Sequence, residues 1–558
     1  MYQNLWEQTS IAKRIEELTI ELTEVLSVTE TKGEIEVSKK VYELLNRLPY
    51  YQENPENLYI QDIPTDKFGR KNVIAIVKGK STSNKAVALL GHTDTVGISD
   101  YGNLASLCTT PYELTEKMAE IKDNLPQSVQ IDIEAKDEDY LFGRGIFDMK
   151  SGNAVIMALI EAITMDVENF DGNLIYMAVC DEETNSTGMF AAVPELNKLA
   201  KLNEWDIQGL IDTDYMTNDY EGDDSKYIYI GTVGKLMPSF YVVGSETHVG
   251  ESFNGLDPNQ IVAELTREIN LNPAYCDIAE GQVTLPPVTL KQRDLKPEYS
   301  VQIAKTATVF FNYATHCSTP DQVLEKMLAA AEKCMDEVLE TLSERYEMFC
   351  NLSNIENQGL PWKTKVISYD DLIKEVRLEI GEVEFEEVRR KIEGDLLKEK
   401  NLDERDFSLA MVEKIHTLWS YRDPVIVVYF TPPYYPHILV EGKNKKEKNM
   451  LKAVEKAMAE TVTDYPLVLK KFFPYIADIS FASAPQDANV VENLKGNMPG
   501  FGSKYIMPIE EMQKLNVPVL DIGPFGKDAH KYTERVETNY SFNVTPEVVY
   551  RTIIELLK

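Results

Sequence analysis

The chain has 558 residues, 43% of them hydrophobic and 27% charged, with a formal net charge of −34. Those values describe a folded globular protein of two or three domains, not a disordered or fibrous one. So large an acidic excess argues against a nucleic-acid surface or an anionic membrane, both of which select clustered Lys and Arg.

Residues 1–28, "MYQNLWEQTSIAKRIEELTIELTEVLSV", carry charges throughout and predict an amphipathic first helix, not a signal peptide. The most apolar helical stretch, "NAVIMALIEAITM", is too short to span a bilayer and contains Glu161. None of the six cysteines falls in a Cys-x-x-Cys pair, so neither a disulfide framework nor a thiolate zinc site is expected, and the expected location is cytoplasmic.

Strand-like segments follow at "NVIAIVKG" and "AVALLGHTD", then a helix from about Gly152, then "NLIYMAVCDEE" and "IQGLIDTDYM". Short apolar strands alternating with helices predict an α/β fold with a partly parallel sheet. The texture changes near residue 234: a strand, a Gly-rich turn and a helix precede "SVQIAKTATVFFNYAT" and a charged helical stretch over 320–415, expected to be a solvated helical surface. Strand character returns at "PVIVVYFTPPYYPHILVEG" and again at "VPVLDIGPFGKDAH". The simplest arrangement is a discontinuous domain, residues 1–233 and 424–558, interrupted by an inserted domain at 234–423.

The apolar runs end in unusual residues. The run at 86–91 ends in His92 and Asp94, and "GRGIFDMKSG" places Asp148 just before a helix. Asp181, Glu182 and Glu183 close the next strand, where three adjacent acids repel unless a positive group sits among them. Asp212 and Asp214 close another, and His530 follows the last. Ligands bind outside the carboxyl ends of strands in open α/β sheets, so these ends point to one place. Two histidines with several carboxylates suit Zn²⁺, Mn²⁺ or Co²⁺, and the surplus of acids favours two metals sharing a carboxylate.

The order His-x-Asp, Gly-Arg-Gly-x-x-Asp-x-Lys-x-Gly, Asp-Glu-Glu, a later acid and a C-terminal His resembles the zinc aminoacylase and carboxypeptidase superfamily, which includes acetylornithine deacetylase and succinyl-diaminopimelate desuccinylase. The length, "PPYYP" and "GPFGKDAHKYTERV" are most similar to its arginine-utilisation RocB branch. The resemblance implies a zinc-exopeptidase-like mixed sheet flanked by helices, with an inserted α+β lid and dimerisation domain enlarged by helices. It implies two divalent ions, Zn²⁺ with Co²⁺ or Mn²⁺ as alternatives. His92 would bind one, Asp148 both, and Glu183 and His530 the second. Asp214 matches the remaining ligand best, with Asp212 as its alternative. Asp94 would orient His92, and Glu182 would act as general base, moving a proton from the attacking water to the leaving amine.

His248, in "GSETHVGESFNG", resembles a lid histidine that stabilises the oxyanion, supplied in many relatives by the partner subunit of a homodimer. Asn312 stands where many relatives use an Arg to grip a substrate carboxylate; it either hydrogen-bonds the substrate or stabilises a strand edge. His316, His416 and His437 are read as structural. An insertion over residues 101–139 is expected to border or cover the site. The expected activity is hydrolysis of an amide or peptide bond in a small N-acyl amino acid or dipeptide, with arginine derivatives among the candidates in view of the acidity. The alternative is a catalytically silent binding protein that retains the fold.

Overall fold

In the computed structural model of the protein, residues 11–63, 66–80, 83–135 and 139–558 are described. The first helix runs over Ile11–Thr23 and buries Ile11, Ile15, Leu18 and Leu22 along one stripe, the pattern an amphipathic helix requires. The earlier part of the expected helix, residues 1–10, lies outside the described residues.

The apolar runs become strands buried along almost their whole length, as Lys85–His92 and Asn173–Val179 illustrate. They belong to an eight-stranded mixed sheet in the order Leu58–Asp62, Lys71–Lys78, Asn173–Val179, Lys85–His92, Asp206–Asp212, Val519–Asp521, Lys226–Tyr229, Leu467–Lys470. The four strands from Asn173–Val179 to Val519–Asp521 are mutually parallel. Their carboxyl ends therefore open on one edge, where His92 pairs in register with Val179 and Asp212 with both Leu90 and Asp521.

Two glycines fix how tightly this edge is packed. A Cβ on Gly152, at the start of the helix Ser151–Met165, would lie 2.0 Å from the Thr213 carbonyl oxygen; one on Gly523 would lie 1.3 Å from that of Asp214. Only glycine lets the helix start and the last strand close on the 213–214 backbone.

The chain divides into two compact units: residues 1–232, 438–484 and 508–558, and residues 233–437 and 485–507. The second unit has its own sheet, ordered Val288–Asp294, Thr306–Thr315, Pro238–Val243, Val425–Phe430, Val366–Ser368. Val425–Phe430, expected to open the second part of the large domain, is instead central here, antiparallel to Pro238–Val243. The return to the first unit comes at residue 438.

The stretch 320–415 also differs from expectation. Its acidic faces are solvated, but Tyr369–Ile380, Glu382–Leu396 and Glu404–Leu418 send Leu372, Val376, Phe385, Val412 and Ile415 into a core shared with Tyr241, Val427 and Tyr429 of the sheet. Charge runs hid an apolar stripe at helical spacing. Among the described residues no helix is long and apolar enough to cross a membrane.

Candidate metal centre

His92 ends its strand with its ring buried, 2% exposed. Its Nε2 lies 3.0 Å from Asp148 Oδ1, and its Nδ1 lies 3.1 Å from the Asp94 carbonyl oxygen. The Asn153 amide donates to the His92 carbonyl, and Tyr176 donates to Asn153, so the strand end is tied to the helix behind it. Asp94 also acts beyond His92, because its carboxylate oxygens accept the backbone N–H groups of Glu182 and Glu183 at 3.1 and 3.2 Å. One carboxylate thereby links the His92 turn to the acidic turn on the neighbouring strand.

From the other side, His530 Nε2 lies 3.0 Å from Asp148 Oδ2 and 3.1 Å from Glu183 Oε1. The ligand atoms of His92, Asp148 and Asp214 lie within 4.8 Å of one another, and so do those of Asp148, Glu183 and His530. The structure thus contains a plausible two-metal site with Asp148 common to both halves. Each half offers one imidazole and two carboxylates, a donor set that suits a divalent cation of borderline softness. Of the two alternatives, Asp214 joins a group; Asp212 turns its Oδ1 to the N–H of Thr213.

The electrostatics follow from packing so many acids together. Burial pushes the Glu182 carboxyl well above its ordinary range, and Glu183, Asp478 and Asp214 add to the effect while His92 opposes it. Burial, reinforced by Asp148, raises Asp214 to about 8. Burial opposes charge on His530, yet its contacts with Asp148 and Glu183 carry it to about 11. These groups crowd negative charge that a bound cation would relieve.

The third member of the acidic run is neutralised differently. Asp181 is fully buried and pairs at 2.5 Å with Arg70, which also meets Asp66 and Glu34. The positive group that three adjacent acids require comes from far earlier in the chain, where no pattern announced it.

Sequence reasoning missed other members. Glu534 is buried, accepts the N–H groups of Phe147 and Asp148 at 3.2 and 3.3 Å, and receives Arg144 Nη1 at 2.7 Å. Burial raises Glu534 to about 7, against the pull of Arg144. The spacing His-x-x-x-Glu after His530 was its only signal. Asp478 and Asp521, both buried, add to the acidic edge, Asp521 as the register partner of Asp212. His248 and Asn312 lie in the second unit. His248 is exposed and accepts the N–H of Gly250, while Asn312 sits opposite Val288 in the antiparallel pair.

A cavity of about 750 Å³ in the first unit is lined in part by Phe147 and Tyr215, immediate neighbours of Asp148 and Asp214, and by Tyr475. Tyr215 packs on Phe147 and Tyr475 with ring centroids 4.7 and 5.2 Å away. The insertion borders this cavity through Gln127 and Ser128.

Residues 88–553 match the model of peptidase family M20/M25/M40. The chain belongs to this family. Membership makes it a hydrolase of the metallopeptidase class. The chain is 33% identical to Protein RocB of Bacillus subtilis (strain 168) over 549 residues, covering 98% of this chain and 95% of that one. It is 24% identical over 289 residues to a succinyl-diaminopimelate desuccinylase of Vesicomyosocius okutanii subsp. Calyptogena okutanii, 50% of this chain and 65% of the other. Among solved structures, a tripeptidase from Staphylococcus aureus subsp. aureus Mu50 superposes with a TM-score of 0.50 at 12% identity, covering 98% of both chains, so the fold is shared at low identity.

Proposed function

We propose that the protein hydrolyses an amide or peptide bond in a small substrate, an N-acyl amino acid or a dipeptide, using two divalent ions held by this site. The observation that carries the reading is the sharing of Asp148 between two complete ligand groups. His92 and Asp214 would hold one ion, Glu183 and His530 the other, and Asp148 both. Zinc is the favoured ion, with cobalt or manganese as alternatives. Such ions, when bound, polarise a carbonyl and acidify water.

The protein's own residues do the rest. Glu182 is raised by burial and by neighbouring acids, which suits a group that takes a proton from the attacking water and returns it to the leaving amine. Asp94 fixes the His92 ring and, through two backbone N–H groups, the turn that presents Glu182 and Glu183. The aromatic cavity beside Asp148 and Asp214 has a volume that fits one small-molecule group. His248 as oxyanion donor and Asn312 as a substrate contact extend the proposal to the second unit, and a homodimer remains part of it.

The test is elemental analysis of protein purified without chelator or affinity nickel, followed by a screen of N-acyl amino acids and dipeptides. Two ions per chain are expected, with turnover falling about 10²–10⁴-fold in Glu182→Gln while both ions stay. Failure to take up any metal after incubation with each ion would sink the reading.

A further inference from the structure

His530 is the odd member of the ligand set. Its side chain is 48% exposed, so packing does not fix it, and its backbone is left-handed at φ 65°. Asp528, two residues earlier, is also left-handed at φ 61°. Non-glycine residues adopt this region at a steric cost, and two in one short loop persist only where surroundings over-determine them.

Those surroundings are visible. The loop lies between the paired strands Gly526–Lys527 and Arg535–Glu537. Arg535, with no exposed surface, gives Nη1 to Asp528 Oδ2 at 2.6 Å, closing the loop from within. Its Nε and Nη2 both go to Asp132 Oδ2, at 2.8 and 2.5 Å, while Lys527 Nζ reaches Asp132 Oδ1 at 2.7 Å. Asp132 is buried, on the helix Gln127–Glu134 of the insertion, and so clamps both strands that carry the loop. The insertion is no loose flap: Tyr101, Leu114, Met118 and Val129 build a small core with Tyr140 and Phe142. A second tie runs from Asp100, immediately before the insertion, through Arg144 to Glu534, which holds the Asp148 turn.

We infer that the insertion, through its described part at 101–135, is a brace for the second metal subsite, with Asp132 the positioning residue that sets His530 through Arg535 and Lys527. The inference rests on the two-metal reading above. It gives the insertion a purpose distinct from covering the cavity, and it predicts that the two subsites respond differently to one change remote from both.

The experiment is a Zn²⁺ titration by calorimetry on the full-length Asp132→Asn protein, paired with hydrogen exchange of metal-free protein. Affinity for the second ion is expected to fall about 10–100-fold with the first unchanged, the scale typical of a lost supporting contact. The amides of Lys531 and Glu534, which donate to the carbonyls of Asp528 and Lys531, are expected to exchange at least about tenfold faster. Arg535→Lys, which keeps the charge and loses the fork, is expected to show a smaller change of the same sign and serves if the first variant does not fold. Unchanged second-ion affinity, or equal weakening at both subsites, overturns the brace. If the unaltered protein binds fewer than two ions, the two-metal reading fails, and unchanged exchange of these amides in Asp132→Asn would then also overturn the positioning of His530 by Asp132.

Discussion

Two buried or half-buried histidines of the second unit, His416 and His437, sit in an electrostatic setting opposite to that of His92 and His530 in the first. In the first unit, His92 and His530 face carboxylates, and although burial opposes it, Asp148 draws both upward. In the second, His416 and His437 are pushed down to about 4 by burial, with no carboxylate in hydrogen-bonding contact among the described residues. His416 lies between Tyr241 and Trp419, ring centroids 5.6 and 6.4 Å away, its Nε2 buried without a hydrogen-bond partner among the described residues, and Arg422 and Lys305 add repulsion. The lesson is that a buried histidine is assigned by the groups its nitrogens face, and burial by itself says nothing of ligation.

The comparison can be broken most directly at Asp148. Asp148→Asn is expected to weaken both subsites, and His92→Ala only the first, by at least about 100-fold, read as ions per chain on dialysis. If His92→Ala kept both ions at full affinity, the distinction between the two groups of histidines would collapse. A smaller effect sharpens the other side. The unfolded chain binds a proton at His416 near its ordinary value of about 6.5, the folded chain only near 4, so the stability present above pH 6.5 is lost as pH falls toward 4. The loss is on the order of 3 kcal/mol for this residue, and His416→Phe is expected to remove its share of the slope in denaturant melts at several pH values. Smallest of all, His316→Gln is expected to leave metal content unchanged and stability within about 1 kcal/mol, read in the same melts.

Much of the architecture was legible because it follows from local pattern. Apolar runs of strand length ending in His92, Asp181, Asp212 and the 519–521 segment predicted a parallel set with one functional edge, and those ends do meet. That His92, Asp148, the acids at 181–183 and 212–214 and His530 point to one edge followed from where strands stop; which of them would be ligands came from the family resemblance. What stayed hidden depends on contacts between distant segments. Arg70 beside Asp181, Asp132 under Arg535 and Glu534 beneath Asp148 look in sequence like ordinary charges on an acidic protein. The boundary near 424 was misplaced for a related reason: "PVIVVYF" reads as a core strand of either unit, and only its pairing with Pro238–Val243 decides which.

The brace also bears on how the molecule assembles. Asp132 and Arg535 are 403 residues apart in sequence, Arg144 and Glu534 390, and all residues of the second unit are threaded between them. Closing contacts of such separation costs more chain entropy than forming the local helices and hairpins of each unit. The His530 loop is therefore expected to order after the local helices of either unit. Until it does, His92 and Asp148 lack the His530 side of the site, so the two-metal site proposed above would be complete only once the two ends of the first unit have come together.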